Sequence, residues 1–164
     1  MSQQKIRAVY MRGGTSRCLV FHQLDLPPAG AARDRVLSGA LGSPDPYGRQ
    51  LDGLGGGISS LSKACIIGPP TLPGADVDYT FAQVDVRSPV VDYVGNCGNC
   101  SSAVGPFAID ERLVKAADGK TIVRIHNTNT RSGARFTASC VLTPRERDIL
   151  LAGGVLAHTR AASA

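Results

Sequence analysis

Tryptophan is absent from this chain, and aromatic residues make up only 5% of it. A large aromatic cluster is thereby excluded as the core. Val, Ile, Leu and Ala must build it, and a hydrophobic fraction of 43% is enough for them to do so. No apolar run reaches the roughly 18 residues that a membrane-spanning helix needs. No basic-then-apolar segment precedes Gln3, Gln4 and Lys5, so a secretory leader is not expected. The 18 basic residues exceed the 13 acidic ones, for a net charge of +5, but they are scattered, as at Arg12, Arg17, Arg33, Arg35, Arg49 and Arg87. They form no basic run with interleaved aromatics, so nucleic acid is not an expected partner and neither is a membrane; small anions are. These readings place the protein in the cytoplasm, with its five cysteines reduced.

What is abundant is turn chemistry. The 164 residues suffice for one domain with a real core, and 19 glycines and 10 prolines divide it into short elements, favouring strands and loops over a helical bundle. Ile6 to Met11 and Cys18 to Phe21 read as strands joined in a hairpin through the turn Arg12 to Arg17. Ala31 to Leu41 has helical spacing, with Gly42 as a stop, and residues 42 to 57 form a long Gly/Pro/Asp loop. The apolar stretch Ser59 to Ile67 predicts a strand, and the alternation of Val77 to Val86 predicts another. Ser101 to Ile109 predicts a short buried helix, against which Pro106 argues. Residues 121 to 126 and 134 to 141 read as a second hairpin around Asn129 to Gly133. Thr143-Pro144-Arg145-Glu146 is a capping box that opens a terminal helix.

Four constellations can carry chemistry. Gly95-Asn96-Cys97-Gly98-Asn99-Cys100-Ser101-Ser102 places a thiol in a Gly/Asn turn before a helix start. Backbone N–H groups there attract anions and lower a cysteine's pKa, so one spot can hold a carboxylate and present a thiolate. Cys97-x-x-Cys100 also fits a redox pair or half a metal site, but Cys18, Cys65 and Cys140 stand singly rather than as a second pair. Arg12-Gly13-Gly14-Thr15-Ser16-Arg17 offers guanidinium forks, hydroxyls and free N–H groups to a carboxylate, or is an ordinary solvated turn. In Gly55-Gly56-Gly57-Ile58-Ser59-Ser60-Leu61-Ser62-Lys63 a single lysine stands among small and apolar residues. It is either a desolvated base or a surface strand residue. His126, in the polar run Arg124 to Thr130, is either a site residue or a locally bonded one.

Together these segments, with Ser43-Pro44-Asp45-Pro46-Tyr47-Gly48-Arg49-Gln50-Leu51-Asp52-Gly53 between them, resemble the signatures of the PrpF family over about residues 5 to 131. That family includes 2-methylaconitate isomerase, 4-oxalomesaconate tautomerase and methylitaconate isomerase. The resemblance implies an α+β fold like half of diaminopimelate epimerase, a curved, mostly antiparallel sheet wrapped around a central helix. Residues 1–141 would form that domain, and 142–164 a helical, partly frayed tail outside the resemblance. It implies no metal and no organic cofactor, with Lys63 and Cys97 as the catalytic pair, either of them the base. Arg12, Gly14, Thr15, Ser16, Asn96, Gly98, Asn99, Cys100 and Ser101 would bind a small unsaturated di- or tricarboxylate. Family members are expected to be about twice as long. A non-catalytic, acid-binding remnant is therefore the rival reading, and a homodimer is one way to cover the exposed cleft.

Overall fold

The computed structural model describes residues 4–117, 120–130 and 135–141, together with 144, 145 and 148. Seven strands form one mixed sheet: β1 (Val9–Gly13), β2 (Ser16–His22), β3 (Lys63–Gly68), β4 (Val77–Val84), β5 (Val91–Asp92), β6 (Lys120–Asn127) and β7 (Arg135–Val141). Among the described residues the sheet is accompanied by the helices α1 (Ala31–Leu41) and α2 (Gly98–Asp110). The strand order is β1-β2-β3-β4-β6-β7, and β5 adds to β4. Pairing is antiparallel except at β2–β3 and β4–β6, which are parallel.

Strand alternation sorts the core into two clusters. Cys18, Val20, Cys65, Ile67, Val77, Tyr79, Phe81, Val123 and Ile125 meet the α2 stripe Cys100, Ala103, Val104, Phe107 and Ala108 on one face. On the other face Leu19, Phe21, Ala64, Ile66, Ala82 and Val84 pack against Leu37 and Leu41 of α1. This two-sided burial explains why residues 18 to 21 form an unbroken apolar run rather than an alternating one.

Helix α2 touches both edge strands, β1 and β7, as well as those between them. The sheet is curled, and α2 packs on the face that carries Cys18, Cys65 and Tyr79.

Several expectations hold: the β1–β2 hairpin, α1 ending at Gly42, the loop at 42–57, the strand opening at Val77, and the β6–β7 hairpin. Others need correction. Ser59 to Leu61 is a 3-10 turn, and the strand begins only at Lys63. Helix α2 begins at Gly98 and runs through Pro106. Proline in a helix interior costs about 3 kcal/mol. Here Val104, Gly105, Phe107 and Ala108 around it are buried, and that packing offsets the loss. The sheet is mostly antiparallel, as expected; its two parallel pairings, β2–β3 and β4–β6, were not foreseen, because local periodicity does not encode which strand lies alongside. The terminal segment lies outside the described residues, apart from helical positions 144, 145 and 148. No helix among the described residues is long and apolar enough to cross a membrane.

Candidate active site

Cys97 is the N-cap of α2. Its backbone is extended (φ −121°, ψ 103°), and its Sγ accepts the N–H of Cys100 at 3.4 Å. The Ser16 hydroxyl lies 3.8 Å from the same sulfur. The Cys97 carbonyl accepts from Ser101 Oγ at 3.0 Å and from Tyr79 Oη at 3.5 Å. The N–H groups of Gly98 and Asn99, in the first turn, have no preceding helical carbonyl to reach. A Cβ built on Gly98 would meet nothing within 4 Å, so the helix start faces open space.

The β1–β2 turn docks on this helix start. Gly13 and Gly14 pass so close to Asn99 that a Cβ on either would overlap it, and Gly14 has φ +49°. Asn99 Nδ2 donates to Thr15 Oγ1 at 3.0 Å. The polar run after β6 holds the other side. Asn127, fully buried, donates through Nδ2 to Asn96 Oδ1 at 2.7 Å. Asn129 mimics a strand residue, accepting from the Phe81 N–H at 2.6 Å and donating to the Phe81 carbonyl at 2.7 Å.

Lys63 opens β3 and is 8% exposed, so the surface-residue reading fails. It is paired in register with Cys18 on β2 and Gln83 on β4. Two residues before Cys65, it shares the α2 face. Its Nζ donates to Gln83 Oε1 at 2.5 Å and lies 5.0 Å from the centre of the Phe81 ring. Gln83 is itself held through Nε2 by the carbonyls of Ser62 (2.9 Å) and Ser59 (3.1 Å). Ser62 Oγ, next to Lys63, accepts from Gln50 Nε2 at 2.7 Å. The buried Gln50 side chain also binds Ser43 Oγ at 2.7 Å and the Gly57 N–H at 2.9 Å, so one amide organises the long loop.

Ser16, Thr15, Gly14, Asn96, Cys97, Gly98 and Asn99 thus gather around the start of α2, while Lys63 opens β3 in register with Cys18, two residues along β2 from Ser16. Arg12 does not join them. It pairs in register with Arg17, and both leave the sheet on the face opposite Ser16 and Cys18. Ser101 spends its hydroxyl on the Cys97 carbonyl. Cys100 is a correction: three residues past Cys97 the helix has turned its thiol into the core, where it is 0% exposed. His126 is bonded across the sheet rather than within its own turn, with Nδ1 2.9 Å from Asp78 Oδ1 on β4. Sequence reasoning gave no role to Gln83 or Tyr79, and took Asn127, Asn129 and Gln50 only as members of segments singled out as a whole. Gln83 left a signal as the polar residue on the apolar face Val77, Tyr79, Phe81.

The electrostatics also depart from expectation. The start of α2 alone would favour a thiolate, yet the Cys97 pKa is raised. Its contact with the Cys100 thiol and its partial burial outweigh the Cys100 N–H and the Ser16 hydroxyl. Beneath it, hydrogen bonds from Cys100 and Cys65 pull Cys18 down, and the Cys100 and Cys18 thiols push Cys65 up, reinforced by its burial. Burial also raises Tyr79, which therefore stays a phenol.

The family model described as PrpF protein matches residues 3–138. The chain belongs to the PrpF family. It is 56% identical over 128 residues to 3-methylitaconate isomerase of Eubacterium barkeri, covering 78% of this chain and 33% of that protein. It is 50% identical over 135 residues to 2-methyl-aconitate isomerase of Cupriavidus necator, covering 77% of this chain and 34% of the relative. Likewise it is 50% identical over 130 residues to 4-oxalomesaconate tautomerase of Pseudomonas putida (79% and 36%). This PrpF chain thus spans about a third of the length of the curated relatives it matches. A crystal structure of methylitaconate-delta-isomerase superposes with a TM-score of 0.80 at 51% identity, covering 86% of this chain and 35% of that one. A probable proline racemase from Agrobacterium radiobacter shares the fold, with a TM-score of 0.55 at 12% identity, covering 87% and 39%.

Proposed function

We propose that this chain carries one lobe of a cofactor-independent isomerase that shifts a double bond in a small unsaturated di- or tricarboxylate. The substrates are of the methylitaconate, methylaconitate or oxalomesaconate type named for its relatives. One observation carries the reading: Cys97 caps α2 beneath open space, while Lys63, buried on the same face, has no carboxylate partner among the described residues. A substrate carboxylate docks on the Gly98 and Asn99 N–H groups, with Thr15 and Ser16 beside it. Lys63 removes an allylic proton, and the carbanion's charge spreads into the adjoining carboxylate or ketone near the helix start. Cys97, held as a thiol, returns a proton at the far carbon, and the Lys63 ammonium restores the thiol through solvent.

The curled sheet and α2 are read as one lobe of a diaminopimelate epimerase-like pair, its cleft closed by a second lobe or a second copy of this chain. Exposed Tyr47, Leu51, Leu54 and Ile58 on the long loop support such a covered surface.

The test is proton NMR in heavy water with methylitaconate, trans-aconitate and oxalomesaconate. The chain is expected to take up deuterium and move the double bond in one of them. Lys63→Ala is expected to lose both, and Cys97→Ala to keep exchange at the donor carbon while losing migration. A folded chain that exchanges no proton in any of these acids overturns the reading in favour of a non-catalytic acid-binding domain.

A further inference from the structure

Three cysteines far apart in sequence converge behind the site. Cys18 comes from β2, Cys65 from the adjacent parallel strand β3, and Cys100 from the first turn of α2. Their sulfurs all lie within 4.8 Å of one another, and the residues are 1%, 0% and 0% exposed. Small apolar side chains would fill this volume equally well. What the thiols add is a set of three soft donors close enough to share one ion.

The donor number and chemistry select the ligand. A zinc ion bound by thiolates demands a tetrahedral fourth ligand. Two groups stand beside the cluster and both are engaged: the Tyr79 hydroxyl, 4.0 Å from the Cys65 sulfur, donates to the Cys97 carbonyl at 3.5 Å, and the Cys97 sulfur accepts the Cys100 N–H at 3.4 Å. Hard ions require oxygen ligands, which the three sulfurs do not supply. A soft monovalent d¹⁰ ion accepts three sulfurs in a plane. Metal–sulfur bonds of about 2.3 Å set such sulfurs about 4.0 Å apart, compatible with the observed spacing.

We propose that Cys18, Cys65 and Cys100 form a three-sulfur site for a cuprous ion. Binding replaces three S–H bonds with three S–Cu bonds and releases three protons to solvent. No electron moves, because the ion enters as Cu(I). The set differs from a Cys97-x-x-Cys100 chelate: Cys97 touches the Cys100 thiol but is not one of the three mutually close sulfurs. It is independent of the isomerase reading.

The experiment is an anaerobic Cu(I) titration of the reduced 164-residue chain carrying Cys97→Ser and Cys140→Ser, against the chelator bathocuproine disulfonate. One copper per chain is expected to be retained. X-ray absorption should find three sulfur neighbours at about 2.3 Å. Adding Cys65→Ala, with circular dichroism unchanged, should weaken retention about tenfold or more. Loss of copper on Cys97→Ser, a two-sulfur shell, or unchanged affinity in Cys65→Ala would each overturn the proposal. Should Cys65→Ala not fold, the sulfur count of the parent variant decides.

Discussion

Asn127 Nδ2 donates to Asn96 Oδ1 at 2.7 Å, reaching across 31 positions of chain to the residue before Cys97. The same side chain accepts the Asn129 N–H through Oδ1 at 2.9 Å. A fully buried amide therefore fixes both the turn that presents the thiol and the Asn129 bridge to β4. Asn127→Leu is expected to destabilise the fold by about 1–3 kcal/mol, since it strands the Asn129 N–H. Urea unfolding measures this. An effect within a few tenths of a kcal/mol would show that Asn127 holds neither segment.

The docking of the β1–β2 turn makes two neighbouring glycines unequal. A Cβ on Gly13 would sit 2.2 Å from the backbone oxygen of Asn99, so the helix start itself must move. A Cβ on Gly14 would sit 2.4 Å from Asn99 Oδ1, a side-chain atom that can swing away with loss of its bond to Thr15. Gly13→Ala is expected to cost about 1–3 kcal/mol by overpacking. Gly14→Ala carries instead the strain of φ +49°, about 1 kcal/mol, plus one exposed hydrogen bond. Thermal denaturation of both variants checks the order, and a larger loss at Gly14 would contradict it.

Lys63 and Gln83 form a buried pair whose members should be worth little apart. Gln83→Met leaves the Lys63 Nζ without its acceptor, at a cost of about 1–3 kcal/mol. Lys63→Met in addition removes the stranded donor, so the double variant should be more stable than Gln83→Met alone. A double-mutant cycle by urea unfolding gives the coupling, and additive losses would mean that the bond contributes nothing.

The pairs above mark where the sequence was readable. The β1–β2 hairpin and α1 follow from local patterns, apolar strands flanking a Gly-Gly turn and helical spacing ended by Gly42. Cys97 and Lys63 stood out as reactive residues among small ones. Their surroundings were not readable, because each depends on a residue distant in sequence. The burial of Lys63 needs Gln83 opposite on β4, and the hold on Asn96 needs Asn127 from β6. Pro106 misled for the same reason, since local preference yields to the packing of Phe107 and Val104 against the curled sheet. Arg12 was grouped with Ser16 by proximity in sequence, although strand alternation puts it on the other face.

The raised pKa of Cys97 has a kinetic consequence. Alkylation requires the thiolate, and a thiol ordinarily titrates near 9.0. With the folded value above that, Cys97 at neutral pH should react with iodoacetamide at least about tenfold more slowly than an unperturbed cysteine, one pKa unit being a factor of ten. The rate should rise with pH and not level off at pH 9. The sign of the stability linkage agrees. A pKa raised on folding contributes stability that is fully present below the ordinary value and is lost as pH rises through the folded one. The Cys100 thiol is the largest cause of the shift, so Cys100→Ala, which keeps the N–H donated to Cys97 Sγ, should lower the pKa and speed the reaction. Peptide mapping by mass spectrometry, needed because Cys18, Cys65 and Cys100 are also free thiols, reads the modification at Cys97 alone. Labelling as fast as a free thiol at pH 7 would mean that the N-terminus of α2, rather than the Cys100 contact and burial, governs the sulfur.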